Sequence, residues 1–177
     1  MSSSARPENM AFLAREFLTW LWYEAARGSG IVHLDGVGPV RVDFARQLRL
    51  ESPGEGGEAT AVNADLPTLA DEARVALQTG KKVASTTLLL DVGERHFQVA
   101  INAEAFTFSG VKLPTVLGTG DGEQLDERLA LLDQLEGIVD GLYVSYARLR
   151  LDPAQWPQVR GDMHRWVARS GDEVAAN

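Results

Sequence analysis

The sequence predicts an α+β fold, in which antiparallel β-hairpins form a sheet that packs with an apolar N-terminal helix and a long C-terminal helix. Three observations predict this class. Apolar residues recur every three or four positions near both ends of the chain, in the segments Pro7–Arg27 and Glu123–Leu149. Between these segments, short runs alternate apolar and polar residues, and glycine-containing turns separate the runs. The first spacing is typical of amphipathic helices and the second of half-buried strands.

The first helix, Pro7–Arg27, is apolar around most of its circumference. Phe17 and Trp20 follow the helical spacing, and Phe12 and Trp22 widen the apolar stripe beyond one face. Such a helix is either central in the fold or covered by a second chain. Both interpretations stay open, and the second makes Phe17, Trp20 and Trp22 candidates for a partner interface.

The first half of the sheet is predicted from four short runs bounded by turn residues: Ile31–Leu34, Val40–Phe44, Arg46–Glu51 and Glu58–Val62. Gly28 and Gly30 end the first helix ahead of them. The first two runs form a hairpin around Asp35–Pro39. The segment Ser52–Gly57 is rich in glycine and predicts a flexible loop near residues 52–57.

A second helix is predicted from Thr68 to Thr79. Thr68 followed by Asp71 resembles a capping box, and Gly80 supplies a left-handed stop. The strongest hairpin signal in the chain comes next, with strands at Lys82–Asp91 and Arg95–Ile101. A further strand at Ala105–Phe108 and a loop at Leu113–Gly120 complete this half.

The long helix carries a nearly heptad stripe of apolar residues: Leu125, Leu129, Leu132, Leu135, Val139, Leu142, Tyr146 and Leu149. At 1.5 Å per residue its length is about 40 Å, more than a small domain usually needs. Gly137 and Gly141 each cost about 1 kcal/mol relative to alanine. Either they are tolerated, or they let another backbone approach closely, and the second interpretation adds both glycines to the candidate partner interface.

The last predicted helix is shorter and begins at Asp152 and Pro153. We therefore divide the sequence into an α+β domain of residues 1–151 and an appended helix with its tail, residues 152–177. The tail from Ser170 is expected to be frayed.

The composition excludes several kinds of site and partner. The chain has no cysteine, which removes disulfides, thiolate metal ligands and a cysteine nucleophile. Its net charge is −8, which argues against non-specific adhesion to nucleic acid or to an anionic membrane. The N-terminus lacks the apolar core of a signal peptide, and the most apolar stretch is too charged to span a bilayer. We expect a cytoplasmic protein with no membrane partner.

No catalytic motif is present in the sequence. His33, His96 and His164 lie on different predicted elements and lack the spacing of a metal site. There is no nucleophile elbow, Walker loop or dinucleotide-binding glycine motif. The acidic residues that open the long helix fit the helix dipole better than a phosphate or Ca²⁺ site. We predict a protein that works by binding, with no catalytic residue, metal site or cofactor, and therefore not an enzyme.

The order and spacing of several segments carry a family resemblance. They are Glu16–Trp22, Ala61–Leu66, Gly80–Val83, Thr87–Asp91, the strand Arg95–Ile101 and the long helix around Leu129–Leu142. Over about Arg15 to Leu149, this arrangement resembles the C-terminal half of the recombination-associated protein RdgC family.

The resemblance implies an α+β fold and a non-enzymatic, non-sequence-specific DNA-binding protein, which forms ring-shaped dimers around duplex DNA and modulates recombination. Lys81 matches a basic residue of the family that faces the DNA, and Lys82 is its neighbour. We expect both lysines to be exposed. The chain departs from the family in lacking most of the N-terminal half, which supplies one of the two dimer contacts that close the ring. The family also tends to carry basic or amide residues just before its Asp-Leu, where this chain has Val62, Asn63 and Ala64, so weaker DNA affinity is expected.

Two hypotheses of function follow. In the first, the chain is an RdgC-like DNA-binding protein that modulates recombination as a dimer and contacts duplex DNA through Lys81 and Lys82. In the second, it is a non-catalytic assembly or scaffold module that has lost DNA binding and works as a homo-oligomer or beside other protein subunits. The wide apolar stripe of the first helix and the heptad-like stripe of the long helix favour the second.

Overall fold

A computed structural model of the chain describes residues 7–52, 57–64, 68 and 70–169. Over these residues the chain forms four helices and six strands. In chain order they are α1 (Pro7–Arg27), β1 (Ile31–Leu34), β2 (Gly38–Glu51), β3 (Ala59–Asn63), α2 (Asp71–Gln78), β4 (Lys82–Val92), β5 (Arg95–Asn102), β6 (Thr107–Lys112), α3 (Asp121–Leu151) and α4 (Trp156–Arg169). The predicted α+β class is confirmed, together with the long C-terminal helix. The predicted loop near residues 52–57 falls mostly outside the described residues, and the predicted frayed tail falls wholly outside them.

The described strands form one antiparallel sheet in the order β1–β2–β4–β5–β6, and β3 also pairs with β2. β2 pairs with three other strands, β1, β3 and β4. One of its edges pairs with β4 from Arg41 to Glu51. Its other edge is shared, because β1 pairs with its beginning and β3 with its end.

β2 is a single strand of 14 residues where the sequence predicts two short ones. The register against β4 shifts between Ala45 and Leu48, so the break in the sequence pattern marks a β-bulge inside one strand. β6 begins at Thr107 and not at the predicted Ala105. The residues before it form a turn, in which Phe106 has a φ of 48°.

Helix boundaries differ from the prediction where the ends depend on local capping. α2 begins at Asp71, its N-cap residue is Ala70, and no side chain caps it, so the predicted capping box at Thr68 is wrong. Gly80 ends α2 with the expected positive φ, 87°. α3 extends two residues beyond the prediction at each end and contains 31 residues.

α1 is the centre of the hydrophobic core. It packs on the sheet, chiefly on β4, and α3 and α4 pack against it. Phe17, Trp20 and Trp22 are all buried. Phe17 and Trp20 contact the ring of Tyr146 on α3, and Trp22 contacts Trp166 on α4. The chain itself therefore buries these three side chains. The predicted partner interface does not include them, and the central-helix interpretation explains the wide apolar stripe.

α4 belongs to the same core. Trp156 and Met163 are buried, and the Trp166 ring packs edge-on against Trp22 and Tyr23 of α1. The hydrophobic core thus continues across the predicted boundary between residues 151 and 152.

Candidate functional site

Lys81 lies at the junction between α2 and β4. It is only 7 % exposed. Its Nζ donates a 2.8 Å hydrogen bond to the hydroxyl of Thr60 and lies 3.5 Å from Glu58 Oε2. The expectation of an exposed Lys81 is therefore wrong, because its ammonium group holds the start of β4 against the β3 segment.

Lys82, the next residue, is half-buried against α1. Its side chain is 28 % exposed, and its Nζ lies 3.9 Å from Glu16 Oε2 and 4.1 Å from the centre of the Phe12 ring. Burial disfavours the ammonium form and lowers the pKa of Lys82, while the Glu16 carboxylate opposes the shift. The expected exposure of Lys82 is thus also wrong for most of its side chain.

Glu16 is the centre of a buried polar network that joins α1 to α3. Its Oε1 accepts a 2.6 Å hydrogen bond from the Tyr146 hydroxyl and a 2.7 Å hydrogen bond from Arg150 Nε. Burial, followed by the hydrogen bond to Glu16, raises the pKa of Tyr146. The same carboxylate raises the pKa of Arg150 through a hydrogen bond. The network satisfies a carboxylate that burial alone would destabilise.

A cleft of about 710 Å³ opens beside this network, between α1, the α2–β4 junction and α4. We call it the Lys82 cleft and define it by Phe12, Glu16, Lys82, Trp156, Arg160 and Met163, all of which line it. Apolar walls with a few converging charged groups are typical of ligand-binding sites.

A larger cleft of about 1070 Å³ lies between α1, β2, α2 and α4. Two of its arginines are already paired within the chain. Arg27 donates to Glu24 at 2.7 Å, and Arg165 donates to Asp162. An anion entering this cleft would compete with internal carboxylates, which makes it a weaker candidate than the Lys82 cleft.

Gly137 and Gly141 differ in their surroundings on α3. A Cβ placed on Gly137 would meet no described atom within 4 Å, so no described contact within the chain requires a glycine there. A Cβ on Gly141 would lie 3.2 Å from Leu34 Cδ1 of β1. The close approach at Gly141 therefore comes from a side chain of the same chain and not from a partner's backbone.

The heptad-like stripe of α3 is buried only in its second half. Leu125, Leu132, Val139 and Tyr146 are seven residues apart, and they are 58 %, 42 %, 6 % and 1 % exposed in that order. A seven-residue repeat drifts by about 20° per heptad around a straight helix, which carries the early members away from the core. Leu129 is also exposed, at 52 %.

Acidic residues flank these exposed leucines. Asp121 lies four residues before Leu125, Asp133 lies four residues after Leu129, and Glu136 lies four residues after Leu132. Side chains at that spacing are neighbours on a helix. Residues 121–136 contain six acidic side chains and one arginine, a net charge of −5. We call the three leucines and these three acidic residues the α3 stripe.

Sequence reasoning missed the Glu16 network and the Lys82 cleft. A charged residue within the apolar stripe of α1 is the signal that marks Glu16 for a buried role. Nothing local marks Arg160, because it reaches the cleft only through the packing of α4.

Among the described residues, no group of three or more histidine and carboxylate side chains could hold a metal ion. Over the same part of the chain, no helix combines the length and apolar character needed to cross a membrane.

Comparison with protein-family models gives no match, and comparison with curated proteins gives none either. The RdgC-like resemblance therefore stays a prediction, and the geometry of the chain carries the functional inference.

Proposed function

We propose that the chain is a non-catalytic protein-interaction module and that the α3 stripe is its binding surface. The observation that carries the proposal is the exposure of Leu125, Leu129 and Leu132, whereas the later members of the same heptad-like stripe, from Leu135 to Tyr146, are buried. Grouped, exposed apolar side chains on one helix face are typical of partner surfaces.

The position of the stripe supports this role. The first buried residue of α3, which is described over its whole length, is Leu131. The ten residues before it span about 15 Å of helix. This part of α3 is tied to the loop that precedes it by Glu127, whose carboxylate accepts the backbone N–H groups of Leu117 and Gly118 at 2.9 and 3.1 Å. An anchored helix presents its leucines in a fixed geometry, which lowers the entropy lost on binding.

The charge of the stripe indicates the chemistry of its partner. A second copy of the chain would bring two such stripes together, each with three carboxylates and no basic residue, which repulsion disfavours. A basic amphipathic helix would complement both features, with apolar residues on one face and lysine or arginine beside them. We therefore commit to a basic helical segment of another protein as the occupant.

The test uses two labelled helical peptides with identical apolar faces, one flanked by lysine and one by glutamate. Fluorescence anisotropy is measured with the wild-type chain, with a Leu125→Ser/Leu129→Ser/Leu132→Ser variant, and with Leu151→Ser as a matched control. Leu151 is 81 % exposed at the far end of the same helix. We expect the lysine peptide to bind the wild type and the control, to bind the triple variant at least about tenfold more weakly, and to dissociate with salt.

Equal binding of the two peptides, or unchanged binding to the triple variant, would overturn the proposal. Analytical ultracentrifugation supplies a separate check. A dimer that dissociates only in the triple variant would identify a second copy of the chain as the occupant.

DNA binding, which the family resemblance implies, stays a prediction. Its assigned contacts do not favour it, because Lys81 is bound to Thr60 and Glu58 and Lys82 faces Glu16. Anisotropy of labelled duplex DNA with the wild-type chain, from low to physiological salt, checks it directly. Salt-sensitive binding would support the DNA-binding prediction, and no binding at low salt would leave the interaction module as the function.

A further inference from the structure

The Lys82 cleft has a polar end and an apolar body. α1 contributes Phe12 and Glu16, the α2–β4 junction contributes Lys82, and α4 contributes Trp156, Arg160 and Met163. The volume, about 710 Å³, lies within the range of roughly 300–1,000 Å³ that is typical of small-molecule sites.

The charges at the polar end do not balance within the chain. Glu16 already accepts hydrogen bonds from Tyr146 and Arg150, and the Lys82 ammonium lies 3.9 Å from its second oxygen. One carboxylate thus faces two basic side chains, Arg150 and Lys82. Arg160 also lines the cleft, and its guanidinium has no ion pair or hydrogen bond among the described residues. The excess positive charge favours an anion.

The charge of Glu16 limits how negative that anion can be. A group with two negative charges beside Lys82 would face repulsion from the Glu16 carboxylate, whereas a single negative charge would be neutralised by Lys82. Carboxylates carry one charge and accept charge-assisted hydrogen bonds from both ammonium and guanidinium groups.

The walls beyond the charged end are apolar. Trp156 and Met163 are buried, and the Phe12 ring lies over the Lys82 ammonium at 4.1 Å. An apolar chain or ring placed against these side chains would leave water, which is favourable in proportion to the area covered.

We propose that the Lys82 cleft binds a small amphipathic monocarboxylate. Lys82 holds the carboxylate of the ligand, and Arg160 adds positive charge at the cleft wall. The apolar body of the ligand lies between α1 and α4. This site is separate from the α3 stripe, and either can exist without the other.

Isothermal titration calorimetry with octanoate tests the proposal. Octylamine and 1-octanol, which share the chain but not the negative charge, are the ligand controls. The variants are Lys82→Met and Arg160→Met, with Lys112→Met as the matched control on the exposed strand β6. Arg160 is exposed, so its replacement leaves the fold intact even if the Lys82 variant is unstable.

We expect octanoate to bind and octylamine not to bind. Lys82→Met should lose about tenfold in affinity, the loss of one charge-assisted hydrogen bond, and Arg160→Met should also bind more weakly. Lys112→Met should match the wild type. The proposal is overturned if octanoate fails to bind at millimolar concentration, if octanol binds equally well, or if both cleft variants bind like the wild type.

Discussion

Tyr146, Glu16 and Arg150 form a three-residue network that links the two ends of the chain. The Tyr146 ring packs on Phe17, Trp20 and other aromatic side chains of the core, while its hydroxyl donates to Glu16. Because the phenol is buried and bonded to a carboxylate, the folded chain strongly favours its neutral form. The residue therefore couples stability to pH.

Tyr146 predicts a loss of stability in alkaline solution. Its folded pKa is raised above the ordinary value of 10.0, so its contribution is fully present below pH 10 and declines as the pH rises further, when the unfolded chain releases the proton first. We expect Tyr146→Phe to show a shallower decline. Urea unfolding of both chains at a series of pH values from neutral to above 10 measures it.

Tyr23 also has a raised pKa, and Lys82 has a lowered pKa that acts in the opposite direction. Both residues are present in the two chains, so the difference between the curves isolates Tyr146. Parallel curves would show that its hydroxyl is not held neutral by the fold.

At the scale of a single element, two glycines of α3 can be compared directly, because they lie on the same helix in different surroundings. Gly137 faces open space within the described residues, whereas Gly141 faces Leu34 of β1. Both lose the same backbone entropy in a helix, and only their surroundings differ.

Gly137→Ala should raise the free energy of unfolding by up to about 1 kcal/mol, the difference in helix propensity. Gly141→Ala should gain less or lose stability, because its new Cβ would lie 3.2 Å from Leu34 Cδ1 and force that side chain to move. Chemical denaturation of both variants measures the difference. Equal gains would mean that Leu34 adjusts freely.

The elements that follow from periodicity could be predicted from the sequence, because the signal for each is local. α1 and β1 have the predicted bounds, and β4 and β5 each extend one residue further than predicted. The bulge in β2 could not be placed, since it exists only as a register against β4.

The same contrast, between local sequence signals and contacts made only in the folded chain, explains the wrong predictions at the candidate site. Two adjacent lysines after a glycine suggest an exposed pair. The burial of Lys81 depends on Thr60, 21 residues earlier, and that of Lys82 depends on α1. The burial of Phe17 and Trp22 depends in the same way on α3 and α4, which a local pattern does not reveal.

At the scale of the whole molecule, α4 completes the core. It covers α1 through Trp166 and meets Tyr146 of α3 through Trp156. The helix is thus part of one cooperative unit with the sheet and α1.

A chain that ends at residue 151 should be less stable by at least about 3 kcal/mol, since it lacks the buried side chains of Trp156 and Met163. It should also expose apolar surface that binds the dye anilinonaphthalene sulfonate. A chain that ends at residue 169 is the control, and urea unfolding is the measurement. An unchanged midpoint in the shorter chain would show that α4 is an independent appendage.

The bond between Glu16 and Tyr146 also has a consequence for synthesis on the ribosome. These residues are 130 positions apart. At 5–20 residues per second, roughly 6–26 s pass between the synthesis of Glu16 on α1 and that of Tyr146 on α3. Throughout that time the helix that carries Phe17, Trp20 and Trp22 lacks α3 and α4. The nascent chain must therefore keep the aromatic side chains of α1 from aggregating until α3 and α4 have been made.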